Sequence, residues 1–178
     1  DGPMRSEVGS EIRRILKAKN TAAILVTHDR REALSLSDRV AVLGPHPQGG
    51  GATLIQIDTP EALYQRPCSR EVAELTGPAD FIDAMAQGEF AECSLGKIPL
   101  LDPQIGPVVL VLRPPQLSFE PAEEGPFRVT ERQFQGPGLQ VRLEGEDGQF
   151  RAEADIGEAA LGTRGRLRIA APCSALPR

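Results

Sequence analysis

The 178-residue chain has two histidines, His28 and His46. His28 stands in the triplet Thr27-His28-Asp29, directly after the apolar, β-branched run Ala22–Val26. Such a run predicts a fully buried strand, whose end would hold an imidazole in a fixed place. His46 lies between two prolines in a predicted turn, where no rigid neighbour would orient its ring. His28 is therefore the candidate functional residue, although by itself it could also be a histidine that only satisfies the end of a strand.

Other residue types with ligand or phosphate chemistry form no comparable pattern. The three cysteines, Cys68, Cys93 and Cys173, are odd in number and far apart, so we expect reduced, structural thiols and neither a disulfide framework nor a metal site. The glycine cluster Gly49-Gly50-Gly51 has no lysine and no helix after it. It predicts a flexible hairpin loop, and no G-x-x-x-x-G-K-[ST] phosphate loop occurs in the sequence.

The elements around His28 read as a strand, a short helix and a second strand. Asp29 can cap the helix, because an aspartate side chain accepts hydrogen bonds from the first free backbone N–H groups. The apolar positions of the helix share one side: Ala33, Leu34 and Leu36. The strand Arg39–Leu43 follows, and this order implies parallel pairing, with a site at the carboxyl ends of the strands.

The segment LVTHDRREALSLSDRVAVL, followed by Gln56-Ile57-Asp58-Thr59-Pro60-Glu61-Ala62-Leu63-Tyr64, resembles the C-terminal part of an ABC importer ATPase subunit. The resemblance implies that His28 is the switch histidine, which hydrogen-bonds the γ-phosphate of ATP. Asp1 resembles the last residue of the D-loop at the ATPase dimer interface, though it could equally be a simple helix cap. The resemblance implies ATP and Mg²⁺ as cofactors of the full-length subunit. Without Walker A, signature and Walker B motifs, we expect this chain alone to be inactive.

Helical periodicity gives way to short β-like runs after Gly77-Pro78. This change predicts two domains, residues 1–78 and 79–178, with the boundary at Gly77-Pro78. The first begins with an amphipathic segment whose apolar positions are Val8, Ile12, Ile15 and Leu16. Beyond the glycine loop, Ala52–Ile57 predicts a strand, Thr59 caps a helix with Pro60 at its first position, and Ser69–Leu75 predicts a second short helix. The first domain is thus expected to be an α/β fragment of a P-loop ATPase domain.

The second domain alternates short β-like runs with turns, which suggests a small barrel or sandwich. The predicted strands are Ala79–Gln87, Glu89–Ser94, Val108–Leu112, Phe127–Phe134, Leu139–Glu144, Gln149–Ile156 and Gly165–Ile169. Leu112-Arg113-Pro114-Pro115 resembles the R-P-E segment of the accessory TOBE domain of importer ATPases, with Pro115 in place of the glutamate. The resemblance implies an all-β, OB-like barrel with a regulatory or dimerising role.

Charge and composition argue against nucleic acid as a partner. The formal net charge is −5, and the acidic run from Glu120 to Glu124 would repel phosphate. The four phenylalanines of the predicted strands are expected in the core: Phe119, Phe127, Phe134 and Phe150. Four arginines are expected to be solvated charges at strand edges: Arg113, Arg128, Arg132 and Arg142.

The resemblance implies ATP-driven solute uptake on the cytoplasmic face of the cell membrane. Its implied partners are a second copy of the subunit and the transmembrane permease subunits. The sequence does not choose among iron, sulfate, molybdate, polyamine, sugar and phosphonate as the solute, although overall resemblance favours iron or another inorganic or polyamine-type substrate. The alternative is a stand-alone β-domain that senses an oxyanion or a metal ion. We also expect self-association, because Ala22–Val26 would otherwise leave an apolar strand edge uncovered.

Overall fold

The computed structural model describes residues 2–46, 49–136 and 138–178, with the side chains of helix α1 described from Glu7 onward. The chain divides into two compact units, Asp1–Thr76 and Gly77–Arg178. Among the described residues, no helix is both long and apolar enough to cross a membrane.

The described residues of the first unit form four helices and one β-hairpin. Its elements are α1 (Gly2–Ala18), α2 (Arg30–Leu36), β1 (Val40–Pro45), β2 (Ala52–Asp58), α3 (Pro60–Gln65) and α4 (Arg70–Thr76). Strands β1 and β2 pair antiparallel, and Gly49, Gly50 and Gly51 all adopt positive φ in the connection between them. The predicted hairpin loop is thus confirmed at these glycines. A small core of Val42, Leu63 and Val72 lies between the hairpin and the helices α3 and α4.

The predicted buried strand Ala22–Val26 is absent. Residues 21–27 have no regular secondary structure, and the side chains of Ile24 and Val26 are 94% and 92% exposed. The parallel strand–helix–strand interpretation was therefore wrong, since β1 pairs only with β2 among the described strands, and it does so antiparallel. An apolar run becomes a buried strand only where a neighbouring strand takes its backbone hydrogen bonds, and the described residues provide none here.

The helix starts follow the sequence signals. The Asp29 carboxylate accepts hydrogen bonds from the backbone N–H groups of Arg31 and Glu32, and the Thr59 hydroxyl accepts one from Ala62. Pro60 occupies the first turn of α3, as predicted. Each cap satisfies backbone donors that the helix itself cannot, so these short helices begin at fixed residues.

The second unit contains a three-stranded sheet and a closed five-stranded barrel. Its elements are β3 (Asp80–Cys93), β4 (Gly96–Leu112), a 3₁₀ turn (Pro114–Gln116), β5 (Leu117–Pro121), β6 (Phe127–Phe134), β7 (Leu139–Gly145), β8 (Gly148–Ala154), β9 (Arg164–Ile169) and β10 (Ser174–Pro177). The sheet has the order β10-β4-β3, and the barrel has the order β5-β8-β7-β6-β9. The predicted barrel is confirmed. Phe127 and Phe150 meet edge to face inside it, with ring centroids 5.7 Å apart.

Two side-chain predictions for this unit were wrong. Phe134 is 65% exposed, because it lies at the far end of β6, whereas Phe119, Phe127 and Phe150 are buried as predicted. Arg113 is only 4% exposed, and its guanidinium donates to the carbonyl oxygens of Gly77 and Pro78. It is a buried structural cation and not a solvated charge, because backbone carbonyls replace its water.

Candidate functional site

Thr27, His28 and Asp29 form a tightly hydrogen-bonded turn at the start of α2. The Asp29 Oδ1 atom lies 2.8 Å from the backbone nitrogen of Arg31 and 3.2 Å from that of Glu32. The backbone nitrogen of Asp29 donates to Thr27 Oγ1 at 3.0 Å, and Thr27 Oγ1 donates to Glu32 Oε2 at 3.0 Å. Both neighbours of His28 are thereby tied to the first turn of the helix. These hydrogen bonds, and not a strand, position the backbone of His28.

The His28 side chain is exposed, and it makes no hydrogen bond or ion pair with the residues that the structure describes. An imidazole held by its backbone and free at its ring can meet a ligand that approaches from solvent. A neutral imidazole has one donor nitrogen and one acceptor nitrogen, so it can donate one hydrogen bond to an anionic oxygen. The other predicted site residue, Asp1, lies outside the described residues. Its place in the site therefore stays a prediction.

Charged side chains on α1 hold the C-terminal end of α2, on the far side of this helix from the histidine turn. Arg13 donates to the Leu36 carbonyl at 3.0 Å and to Asp38 at 2.8 Å, and Lys17 donates to Asp38 at 2.6 Å. The hydrogen bond from Lys17, more than any other cause, holds the pKa of Asp38 below its usual value. Sequence reasoning missed this cluster, because its partners are more than 20 residues apart. These bonds join α1 to the C-terminal end of α2 directly, in addition to the chain connection through residues 19–29.

The second unit has an open cleft of about 440 Å³ at the β7–β8 turn. Two arginines, Arg128 and Arg164, line it together with three acidic residues: Glu144, Glu146 and Asp147. Because carboxylates outnumber the cations, the cleft offers no selective site for an oxyanion. Nor do the residues described here include a group of three or more His, Cys, Asp or Glu that could hold a metal ion.

The three thiols are free and differ in accessibility. Cys173 is buried in the core of the second unit, and burial together with nearby Cys93 raises its pKa to about 12. Cys93 is half-buried, and burial likewise raises its pKa. Cys68 is free, as expected of a reduced thiol, and it is exposed. A high pKa keeps the two inner thiols protonated and poorly nucleophilic.

Comparison with known proteins found curated relatives and no matching family model. The chain is 34% identical over 140 residues to the Fe(3+) ions import ATP-binding protein FbpC of Serratia marcescens, which covers 76% of this chain and 39% of the relative. It is 32% identical over 157 residues to the FbpC protein of Streptomyces avermitilis, covering 86% of this chain and 44% of the relative. It is 31% identical over 150 residues to the spermidine/putrescine import ATP-binding protein PotA of Borreliella afzelii, covering 81% of this chain and 42% of the relative. The chain thus spans less than half the length of each of these relatives.

Proposed function

The chain belongs to the family of ABC importer ATP-binding subunits, and we propose from this that it forms the C-terminal part of such a subunit. The similarity carries the proposal, because a match over 86% of the chain must include residues of both units. We assign the first unit to the end of the ATPase domain. The second unit is then the accessory TOBE domain, and its closed five-stranded barrel supports that assignment.

His28 is proposed as the switch histidine of the ATPase site. Its exposed ring and the hydrogen-bonded turn that holds its backbone both suit a group that waits for a ligand. In this role the neutral imidazole donates one hydrogen bond to the γ-phosphate, which stabilises charge and positions the phosphate without abstracting a proton. Asp1 is proposed as the last residue of the D-loop on the resemblance alone.

The residues present fit ATP only in part. His28 can supply one phosphate contact, but the 178-residue sequence contains no phosphate-cradling loop and no signature motif. We therefore propose that the triphosphate and Mg²⁺ are held by upstream polypeptide of the full-length subunit, where the bound nucleotide supplies the energy of transport. The exposed run Ala22–Val26 then becomes a buried strand, because that polypeptide brings the missing neighbouring strands.

The proposed whole protein drives solute uptake from the cytoplasmic face of the membrane. Its partners are a second copy of the subunit and the transmembrane permease, with the accessory barrel in a regulatory or dimerising role. Two of the relatives described above are named for Fe(3+) import, so ferric ion is the proposed solute, ahead of polyamines.

ATP hydrolysis by the full-length subunit, assembled with its permease in membranes, tests the role of His28. We expect His28→Ala to lose about 10²-fold or more in turnover, comparable to the loss of one charge-stabilising donor, while nucleotide binding is retained. His46→Ala is the matched control, because His46 lies at the hairpin loop of the same unit. Unchanged turnover in His28→Ala, or an equal loss in both variants, would remove the assignment.

A further inference from the structure

The Thr27 hydroxyl lies at the centre of the turn that carries His28. Its oxygen accepts a hydrogen bond from the backbone N–H of Asp29 at 3.0 Å. This bond closes a ring of the ST-turn type, in which a hydroxyl bonds the backbone N–H group two residues further along the chain. His28 is the central residue of that ring. The conformation of the His28 backbone therefore depends on the rotamer of the Thr27 side chain.

Glu32 directs the same hydroxyl from the first turn of α2. Thr27 Oγ1 donates to Glu32 Oε2 at 3.0 Å. A hydroxyl has one donor hydrogen and two acceptor lone pairs, so donation to Glu32 leaves the lone pairs for the N–H of Asp29. Thr27 and Glu32 are both half-buried, whereas His28 is exposed. The contact is thus partly shielded from water, and a hydrogen bond to a carboxylate is stronger than one between neutral groups.

This bond pattern differs from a simple helix cap. In a capping box, the glutamate at the third helical position bonds the backbone N–H of the N-cap residue directly. Asp29 is the N-cap of α2 and Glu32 is the third residue of the helix, but the Thr27 hydroxyl lies between the two groups. Asp29 already caps the helix through the backbone N–H groups of Arg31 and Glu32. The bond between Glu32 and Thr27 therefore adds a hold on the residue that precedes His28.

We propose that Glu32 is a positioning residue for His28 and that it acts through the Thr27 hydroxyl. The inference rests on the proposed role of His28 as the switch histidine. Glu32 fixes the Thr27 side chain, Thr27 fixes the N–H of Asp29, and the backbone of His28 lies between these two fixed residues. A ring on a fixed backbone has less conformational freedom to lose when it meets a phosphate oxygen. Glu32 thus favours the γ-phosphate contact through His28.

ATP hydrolysis by the full-length subunit, assembled with its permease in membranes, tests the proposal with a set of small substitutions. Glu32→Ala removes the acceptor, and Thr27→Val removes the hydroxyl with little change of shape. Glu32→Gln removes the charge but keeps an oxygen that can accept the hydrogen bond. Glu61→Ala is the matched control, because Glu61 is the exposed acidic residue in the first turn of the next helix, α3.

We expect Glu32→Ala and Thr27→Val each to lower kcat about 10-fold with an unchanged Kd for ATP, because misplacing a group that contacts the substrate is costly. The double variant should lose no more than Thr27→Val alone, because both changes remove the same hydrogen bond. Glu32→Gln and Glu61→Ala should keep the kcat of the parent subunit. A purely structural role of Glu32 would lower the amount of folded subunit and leave kcat per folded subunit unchanged, which would overturn the proposal.

Hydrogen exchange of the Asp29 amide, measured in the 178-residue chain, follows the turn without turnover. We expect exchange to accelerate in Glu32→Ala and Thr27→Val, and to keep the parent rate in Glu32→Gln and Glu61→Ala. If Thr27→Val prevents assembly, the comparison of Glu32→Ala with Glu32→Gln decides. Lost turnover in His28→Ala with parent-like kcat in Glu32→Ala would overturn this inference alone. Unchanged turnover in His28→Ala would remove the inference together with the switch-histidine assignment.

Discussion

At the scale of single residues, the central feature is a histidine placed by its neighbours. Thr27, Asp29 and Glu32 form the hydrogen bonds, and the His28 ring is left exposed. The cap by Asp29 was predictable, because it depends on residue types only a few positions apart. The burial of Arg113 was not, because its carbonyl partners lie 35 and 36 residues away in the sequence.

Asp29→Ala tests the turn that positions His28. Removing an N-cap that accepts two backbone hydrogen bonds should cost about 1 kcal/mol in the free energy of unfolding of the first unit. Tyr64, the single tyrosine, lies in this unit, so its fluorescence during urea unfolding reports on it. Glu74→Ala, at an exposed position of α4, should stay within about 0.5 kcal/mol of the parent chain. Equal stability of the two variants would show that the cap contributes nothing.

The thiols should react with an alkylating agent in the order of their exposure. At pH 8 we expect Cys68 to be modified first and Cys173 only after unfolding, because its pKa of about 12 leaves almost no thiolate. The unfolded chain binds fewer protons than the folded chain above the ordinary value of 9.0, so stability should fall as pH rises from 9 towards 12. Mass spectrometry of the alkylated peptides gives the order. Early modification of Cys173 in the folded chain would contradict the burial of this thiol.

At the scale of elements, local patterns predicted what local forces determine. Strand β6 has the bounds that its sequence alternation predicts, Phe127–Phe134. The part of β4 before Val108 was missed because Pro99, Pro103 and Pro107 interrupt it, and proline normally argues against a strand interior. Ala22–Val26, in contrast, was predicted as a strand and is not one, because its strong β pattern has no partner strand among the described residues. Pairing across the sheet, which no local pattern contains, decided both cases.

Gly165→Ala should open the closure of the barrel. Gly165 pairs with Pro121 on β5 and with Phe127 on β6, and an added Cβ would overlap the Glu120 carbonyl oxygen and the Phe119 ring. We expect a loss of about 3 kcal/mol in the free energy of unfolding, at the upper end of overpacking costs. Gly157→Ala, where an added Cβ meets nothing within 4 Å, is the control and should change stability by less than about 0.5 kcal/mol. Equal stability of both variants in thermal unfolding would argue against closure at β9.

At the scale of the whole molecule, the first unit leaves apolar surface uncovered. Ile24 and Val26 are almost fully exposed, and on α1 the side chains of Val8 and Ile12 are about half exposed. Isolated exposed apolar residues are ordinary, but three consecutive ones, Ile24, Leu25 and Val26, favour an interaction surface. This surface agrees with a chain that spans less than half the length of its relatives.

Light scattering on a size-exclusion column should therefore find the chain self-associated at micromolar concentration. The double variant Ile24→Asp and Val26→Asp should be monomeric, because two carboxylates would have to be desolvated in the contact. Ile105→Asp, at a 90% exposed position of the second unit, is the control and should remain associated. A parent chain that elutes as a clean monomer would refute the expectation.

The assignment of His28 as the switch histidine is tested most directly by the structure of the full-length subunit closed on a non-hydrolysable ATP analogue. We predict that Ala22–Val26 is a strand between others and that one ring nitrogen of His28 lies about 3 Å from a γ-phosphate oxygen, the distance of a hydrogen bond. A His28 ring turned away from the nucleotide, with another residue in contact with the γ-phosphate, would show that His28 is not the switch histidine.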